Sequence, residues 1–511
     1  MSTFSPPPFS PSTAPFSVIT VHAKRTPEKP AVICGGETLT YKALVDRVAA
    51  ASGGLREHSI RQGQRVAIET ENALEHLVGL LSALSVGAIA VALSRDAASY
   101  QAIVADCEPS LIISTGDVAE RDDFVPDIPR RHIRDLVIKG DIGSKELDRP
   151  LRADEIAMLY YTSGTSSGVR KGVMQSYGQL HNTVHYITQI MRTDESVCEF
   201  VASPTDNAFW FGRCRCLLHV GGTALLSSGV LNPLSMVSAL NRHHGNAIAG
   251  DTGIYLLLLH HMEKHLVRLG SSILWAKIAS APMPAEDKLR LMELLPNARI
   301  IMNYGLTEAM RTCLHPFRES PEKLASVGRP CPSVLLRIVD AQGKQLPPDA
   351  IGEVMISGGN LASGYWRNEE LWKTRFQNGW YHSGDLGHLD KDGFLYLHGR
   401  IDHAINSGGK TISLHEVEEL VRPFIRDTSF AACAASDPKG VLGEVVVLCV
   451  EGRWGEPTAW SDLRIRLFEA MEPLLVPAMA YAVPEFPRTS NGKIQLNELR
   501  KRVEGGQCEN L

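Results

Sequence analysis

The chain has 511 residues, 44% of them hydrophobic and 21% charged, with a formal net charge of −5. That supplies a sizeable core and exceeds a single ordinary domain, so two or more domains are expected. The charge balance leaves no basic footprint for nucleic acid, and no segment approaches the ~20 apolar residues needed to span a bilayer.

Residues 1–16 are rich in Pro and Ser, lack the basic-then-apolar order of a signal peptide, and predict a disordered tail. From there the apolar spacing alternates between periods. Tyr41 to Leu55 predicts a helix, Arg65 to Ile68 a strand, Ala73 to Ser85 a helix, and Gly87 to Ala92 and Leu111 to Ile113 two strands. The rhythm returns at Gly222 to Leu226, Pro233 to Arg242 and Arg299 to Met302. Such alternation predicts an α/β domain of mixed, largely parallel sheets covered by helices. After Ala350, glycine-punctuated short strands at Gly352 to Ser357 and Gly393 to Leu397 predict a small β-rich subdomain. Beyond Arg400 the pattern is α+β: helices at Leu414 to Val421 and Trp460 to Met471, strands at Ser429 to Ala435 and Glu444 to Val450. The expected boundary near Gly399 to Asp402 divides a large domain, 17–399, from a small one, 400–511. Ten cysteines are scattered along the chain. The tightest group, Cys214-Arg215-Cys216, has no matching pair at metal-ligand spacing, which predicts reduced thiols in a cytoplasmic enzyme.

The strongest motif follows the apolar run Ile156 to Tyr160. It is Tyr161-Thr162-Ser163-Gly164-Thr165-Ser166-Ser167-Gly168-Val169-Arg170-Lys171-Gly172-Val173. Hydroxyls, glycines and one lysine suit a loop that wraps phosphate oxygens, because glycine permits close approach and positive φ. It is not a Walker A loop, since Lys171 is followed by Gly172. The plain alternative is a Ser/Gly turn.

With the motifs that follow it in order, this loop resembles that of the adenylate-forming superfamily of acyl-CoA synthetases, luciferases and nonribosomal peptide adenylation domains. The likeness spans nearly the whole chain after the tail. Arg170 stands where proline usually precedes the lysine. Asn303-Tyr304-Gly305-Leu306-Thr307-Glu308 resembles the segment that stacks an aromatic ring on adenine, its Thr and Glu reaching the α-phosphate and Mg²⁺. A carboxylate fits that role, since Mg²⁺ is a hard cation that takes oxygen ligands and bridges phosphates. In Gly379-Trp-Tyr-His-Ser-Gly-Asp385, Asp385 resembles the residue that holds the ribose hydroxyls, a natural double acceptor. Arg400 resembles the arginine at the ribose or phosphates, Asp402 the hinge of a mobile C-terminal domain, and Gly408-Gly409 part of the acceptor thiol's tunnel. Asn406 stands where many members carry Lys. Lys493, in Pro487-Arg-Thr-Ser-Asn-Gly-Lys493, resembles the lysine that enters the site for the first half-reaction only.

The resemblance implies that ATP and an acid form an acyl-adenylate with release of pyrophosphate. The acyl group then passes to a thiol, of coenzyme A or of a carrier protein's phosphopantetheine. Lys493, Thr307 and Glu308 are the implied catalytic residues. An amine capturing the adenylate is the alternative acceptor, and a catalytically silent binding protein the alternative of another class. No carrier-protein domain follows Lys493, so a free-standing enzyme is expected. Implied acid-pocket residues are Asp206, Asn207, Trp210, Gly250, Asp251, Ala281 and Met310. Asp206 reads equally as a partner for a substrate ammonium or as a cap for the helix from Ala208. The polar Asp251-Thr252 segment points to a small polar, aromatic or amino acid.

Overall fold

The computed structural model describes residues 10, 14–69, 72–93, 97–114, 128–136, 150–162, 170–227, 232–279, 283–401, 404–407, 410–425, 428–454, 459–488 and 494–511. Two large sheets dominate the N-terminal part. A nine-stranded sheet runs Arg329–Pro330, Cys313–Pro316, Arg299–Tyr304, Trp275–Ala279, Ala247–Asp251, Cys198–Ala202, Thr223–Leu226, Pro30–Cys34, Glu37–Thr40. Its six central strands are parallel, and antiparallel partners close both edges. A seven-stranded sheet is parallel at its centre, through Ile89–Ala92, Arg65–Glu69 and Leu111–Ser114. Crossover helices therefore cover both faces, as parallel sheets require.

One core lies between the two sheets. The helices Tyr41–Glu57, Ala73–Ser85, Tyr177–Met191 and Ala208–Val220 fill it, contributing Leu44, Val78, Ile187 and Phe211. Burial on all sides explains why Ala73–Ser85 is apolar almost all round. It is capped by the Asn72 side chain, and Tyr177–Met191 by a Ser176–Gln179 capping box. A second core backs the other face of the nine-stranded sheet under Pro233–Arg242, Thr252–His261 and Ala285–Leu294.

The expected β-rich element is a five-stranded antiparallel sheet built from Val334–Val339, Gly352–Gly358, Phe376–Gln377, Trp380–Leu389 and Leu395–Arg400. After it come the hairpin Ala404–Ser407 with Lys410–Ser413 and a four-stranded sheet flanked by Leu414–Val421, Trp460–Ala470 and Leu496–Glu504. Most of the expected tail lies outside the described residues, but Pro15–Arg25 is helical from inside it, with Pro15 in the first turn. No described helix is long and apolar enough to cross a membrane.

Candidate active site

Strands Ile156–Thr162 and Lys171–Ser176 pair antiparallel with Thr162 opposite Lys171. The pairing brings the two ends of the expected phosphate loop together. Ser163, Gly164, Thr165, Ser166, Ser167 and Gly168, between them, lie outside the described residues, as do Ala281, Asp402, Gly408, Gly409 and Lys493. The Lys171 ammonium sits 5.7 Å from the centroid of the Tyr365 ring. The hydroxyl of Tyr365 donates to Glu308 Oε1 at 2.8 Å. Burial first, then the Glu308 charge, pushes that hydroxyl above the usual tyrosine range, so it stays a donor. Gln175, from the same strand as Lys171, donates to the Thr307 carbonyl at 2.7 Å. Lys171, Thr307 and Glu308 are thereby tied to one edge from segments more than a hundred positions apart.

Strand Arg299–Tyr304 delivers Tyr304 to the same edge. Its hydroxyl donates to Asp385 Oδ2 at 2.5 Å. Arg400 Nη1 donates to the other oxygen, Oδ1, at 3.1 Å, and to the Ser383 carbonyl at 2.8 Å. Asp385 and Arg400 meet because they are register partners in the five-stranded sheet. Gly384, at φ +71°, is left-handed, and a β-carbon there would press within 2.9 Å of Arg400. Gly305 has a similar reason: a β-carbon would stand 2.6 Å from the Arg311 amide. Asn303 is half-buried, and its side-chain oxygen has no hydrogen-bond partner among the described residues.

The expected acid-pocket residues separate. Asn207, not Asp206, caps helix Ala208–Val220, accepting from the Phe209 amide at 2.8 Å. Asp206 is only half-buried, so the desolvation that would demand an ammonium partner is missing. Trp210 points into the inter-sheet core, edge-on to His76 at 5.6 Å. A β-carbon at Gly250 would meet Ala202 and Ile254 at ordinary contact distance. Asp251 caps the helix Thr252–His261 through the Ile254 amide at 3.0 Å. Met310 is buried and, together with Arg311, Cys331 and Asn360, lines a small cavity of about 10 Å³, room for a single water. Arg311, Lys277 and Arg215 are also buried, three cations that the motifs did not single out. Lys277 had a signal, a lysine in the middle of the apolar strand Trp275–Ala279.

On this helix-covered parallel fold, the strand–loop–lysine element with Glu308 and Asp385 beside it defines a class. These are ATP-dependent enzymes that activate a carboxylic acid as an acyl-adenylate. A family model described as AMP-binding enzyme matches residues 19–366, and the chain belongs to that family. A feruloyl-CoA synthase from an Amycolatopsis species is 30% identical over 491 residues, spanning 94% of this chain and 97% of that protein. A 2-succinylbenzoate–CoA ligase from Bacillus cereus is 28% identical, spanning 94% and 96%. Among solved structures, o-succinylbenzoate CoA synthetase (MenE) from Bacillus subtilis, in complex with the acyl-adenylate intermediate OSB-AMP, shares the fold. Its TM-score is 0.84 at 24% identity, covering 97% of this chain and 99% of that one. ATP-bound MatB from Rhodopseudomonas palustris gives 0.85 at 23%, covering 95% and 99%. The chain is an AMP-forming acid–thiol ligase.

Proposed function

We propose that the chain joins a small polar or aromatic carboxylic acid to coenzyme A, using ATP and Mg²⁺, through an acyl-adenylate. The observation that carries this reading is the convergence of Lys171, Glu308, Asp385 and Arg400 on one edge, through Tyr365 and Tyr304. Asp385, a carboxylate and so a natural double acceptor, would take the ribose hydroxyls. Thr162 to Lys171 surrounds the phosphates and offsets the charge of the leaving pyrophosphate.

Glu308 suits Mg²⁺. No cluster of three or more His, Cys, Asp or Glu able to hold a metal occurs among the described residues. Glu308 would hold Mg²⁺ through a carboxylate oxygen, the ligand type this hard cation prefers. When bound, it supplies positive charge against the phosphate oxygens.

In the first step a carboxylate oxygen of the acid forms a bond to the α-phosphorus, and the bond to the β-phosphate oxygen breaks with its electron pair on pyrophosphate. Lys493 bridges the carboxylate and α-phosphate oxygens, and the protein's contribution is placement and charge. In the second step the thiol sulfur bonds to the acyl carbon, AMP leaves with the electron pair of the broken C–O bond, and the thiol proton passes to solvent. Residues 400–511 rotate about Asp402 between the steps, withdrawing Lys493 and bringing Gly408-Gly409 to the thiol's path. The test is pyrophosphate release over an acid panel, repeated with coenzyme A, with a phosphopantetheinylated carrier protein and with amines. Acid-dependent release with acyl-CoA as product is expected. An amide or a carrier-bound thioester as the sole product would overturn the acceptor.

A further inference from the structure

We infer that the activated acid carries a second carboxylate, gripped by a buried cationic wall formed by Lys277, Arg311 and Arg215. The inference deepens the proposed function and rests on it.

Four cationic side chains are buried beside the helix Ala208–Val220: Lys277 at 0% exposure, Arg213 at 1%, Arg215 at 5% and Arg311 at 6%. The carboxylate bonded to this group is Glu199, and Arg213 takes both of its oxygens, at 2.8 and 2.6 Å. That leaves three cations with unmatched donors. Lys277 Nζ, Arg311 Nε and Nη2, and Arg215 Nε and Nη2 have no hydrogen-bond partner among the described residues. What they do touch is soft. Lys277 Nζ lies 5.9 Å from the Phe209 ring, Arg311 Nη1 reaches the Met310 sulfur at 3.2 Å, and Arg215 lies 5.4 Å over Phe211. Among the described residues, Arg215 Nη1 alone of these groups has an oxygen acceptor, the Leu180 carbonyl at 2.6 Å. Buried charge without a counter-charge is strongly unfavourable, and a ligand anion removes that penalty.

The wall is also built around Arg311. Its backbone is left-handed, at φ +54°. Its guanidinium passes so close to Gly212 that a β-carbon there would stand 1.9 Å from Nη2. Strain of this kind persists where the surroundings hold it, and it concentrates at binding sites. The Arg311 amide packs on Gly305, next to Tyr304 and so to Asp385, which puts the wall directly behind the nucleotide edge. The small cavity lined by Arg311, Met310, Cys331, Ser333 and Asn360 adds two buried oxygens without partners among the described residues, Ser333 Oγ and Asn360 Oδ1. Cys331, pushed up to about 12 by burial, is pulled the other way by both Lys277 and Arg311, so the two cations act on one wall.

Chemistry selects the ligand. A fatty chain or a simple aryl group would leave the Lys277, Arg311 and remaining Arg215 donors unmatched, and a substrate ammonium would be repelled. A carboxylate matches the planar forks of two arginines and the point charge of a lysine. One carboxylate then reacts at the α-phosphate while the second sets orientation.

The test compares kcat/KM for pyrophosphate release across matched pairs: dicarboxylic acids of graded length, aliphatic and aromatic, each against the same skeleton with one carboxylate converted to its methyl amide. Sites built for a polar group reject analogues lacking it strongly, so a preference of about 100-fold or more for the diacid is expected. In Arg311→Gln and Lys277→Met that ratio falls by about tenfold or more each, as loss of one charge-assisted bond implies, and Arg311→Lys restores part of it. The ratio is measured within one preparation, so partial misfolding cancels. Mono- and diacids turned over equally by the natural chain overturn the inference while leaving acid activation standing. Pyrophosphate release with no acid overturns both.

Discussion

The Glu199–Arg213 pair offers the sharpest test of how the cationic wall is held. Both partners are fully buried, and the two bonds between them are bidentate. Glu199→Gln keeps the shape and removes the charge, leaving Arg213 uncompensated beside Lys277 and Arg311. Breaking a buried pair from one side costs about 3–5 kcal/mol. For a domain of roughly 400 residues the unfolding entropy is about 0.8 kcal/mol/K, so the midpoint should drop by about 4–6 °C. Replacing both partners together, Glu199→Met with Arg213→Met, should cost far less or stabilise, because no charge is stranded. The assay is thermal unfolding of the natural chain, both single variants and the double variant. A Glu199→Gln midpoint within about 1 °C of the natural chain, or a double variant no better than the worse single one, would refute the reasoning.

Asp385→Asn should lower kcat/KM for ATP by about 10- to 150-fold, the worth of a charge-assisted hydrogen bond, in initial-rate measurements with varied ATP. Lys493→Ala should abolish adenylate formation yet spare thioester formation from a supplied acyl-adenylate; equal loss in both half-reactions would refute the two-state assignment. Burial, then Arg213 and Arg311, hold the Lys277 ammonium well below its ordinary value of 10.5. Between the folded value and the ordinary one the unfolded chain binds a proton that the folded chain lacks. Stability without ligand should therefore rise with pH through that window and level off on either side of it. Lys277→Met should flatten the profile and raise the ligand-free midpoint at neutral pH, read by thermal unfolding between about pH 6 and pH 10; an unchanged slope would count against a buried, depressed lysine.

Much of the fold was legible because apolar periodicity reports burial directly. The helices Ala73–Ser85, Pro233–Arg242 and Leu414–Val421 lie where spacing put them. The strands expected to begin too early did so at glycines. Gly87 and Gly393 were expected to open strands, but at φ +73° and +79° both sit in turns, and the strands start at Ile89 and Leu395. Capping was a closer choice. Asp206 and Asn207 are both good caps, and only the helix register selects Asn207. Lys171, Glu308, Asp385 and Arg400 could be singled out because each sits in a local motif, and the structure brings them toward one edge. The cationic wall was not, since Arg215, Lys277 and Arg311 come from a helix, a strand and a loop that meet only in the folded chain. Nothing local links Arg215 and Arg311 to Lys277, the one lysine in the apolar strand Trp275–Ala279. A sheet covered on both sides turns it inward, to 0% exposure.

The most direct measurement of acid activation is acid-dependent exchange of labelled pyrophosphate into ATP, followed by identification of the nucleotide and acyl products once coenzyme A is added. The expected result is exchange that requires both acid and Mg²⁺, then AMP and acyl-CoA in equal amounts. Formation of ADP and phosphate, or exchange indifferent to every acid, would contradict it.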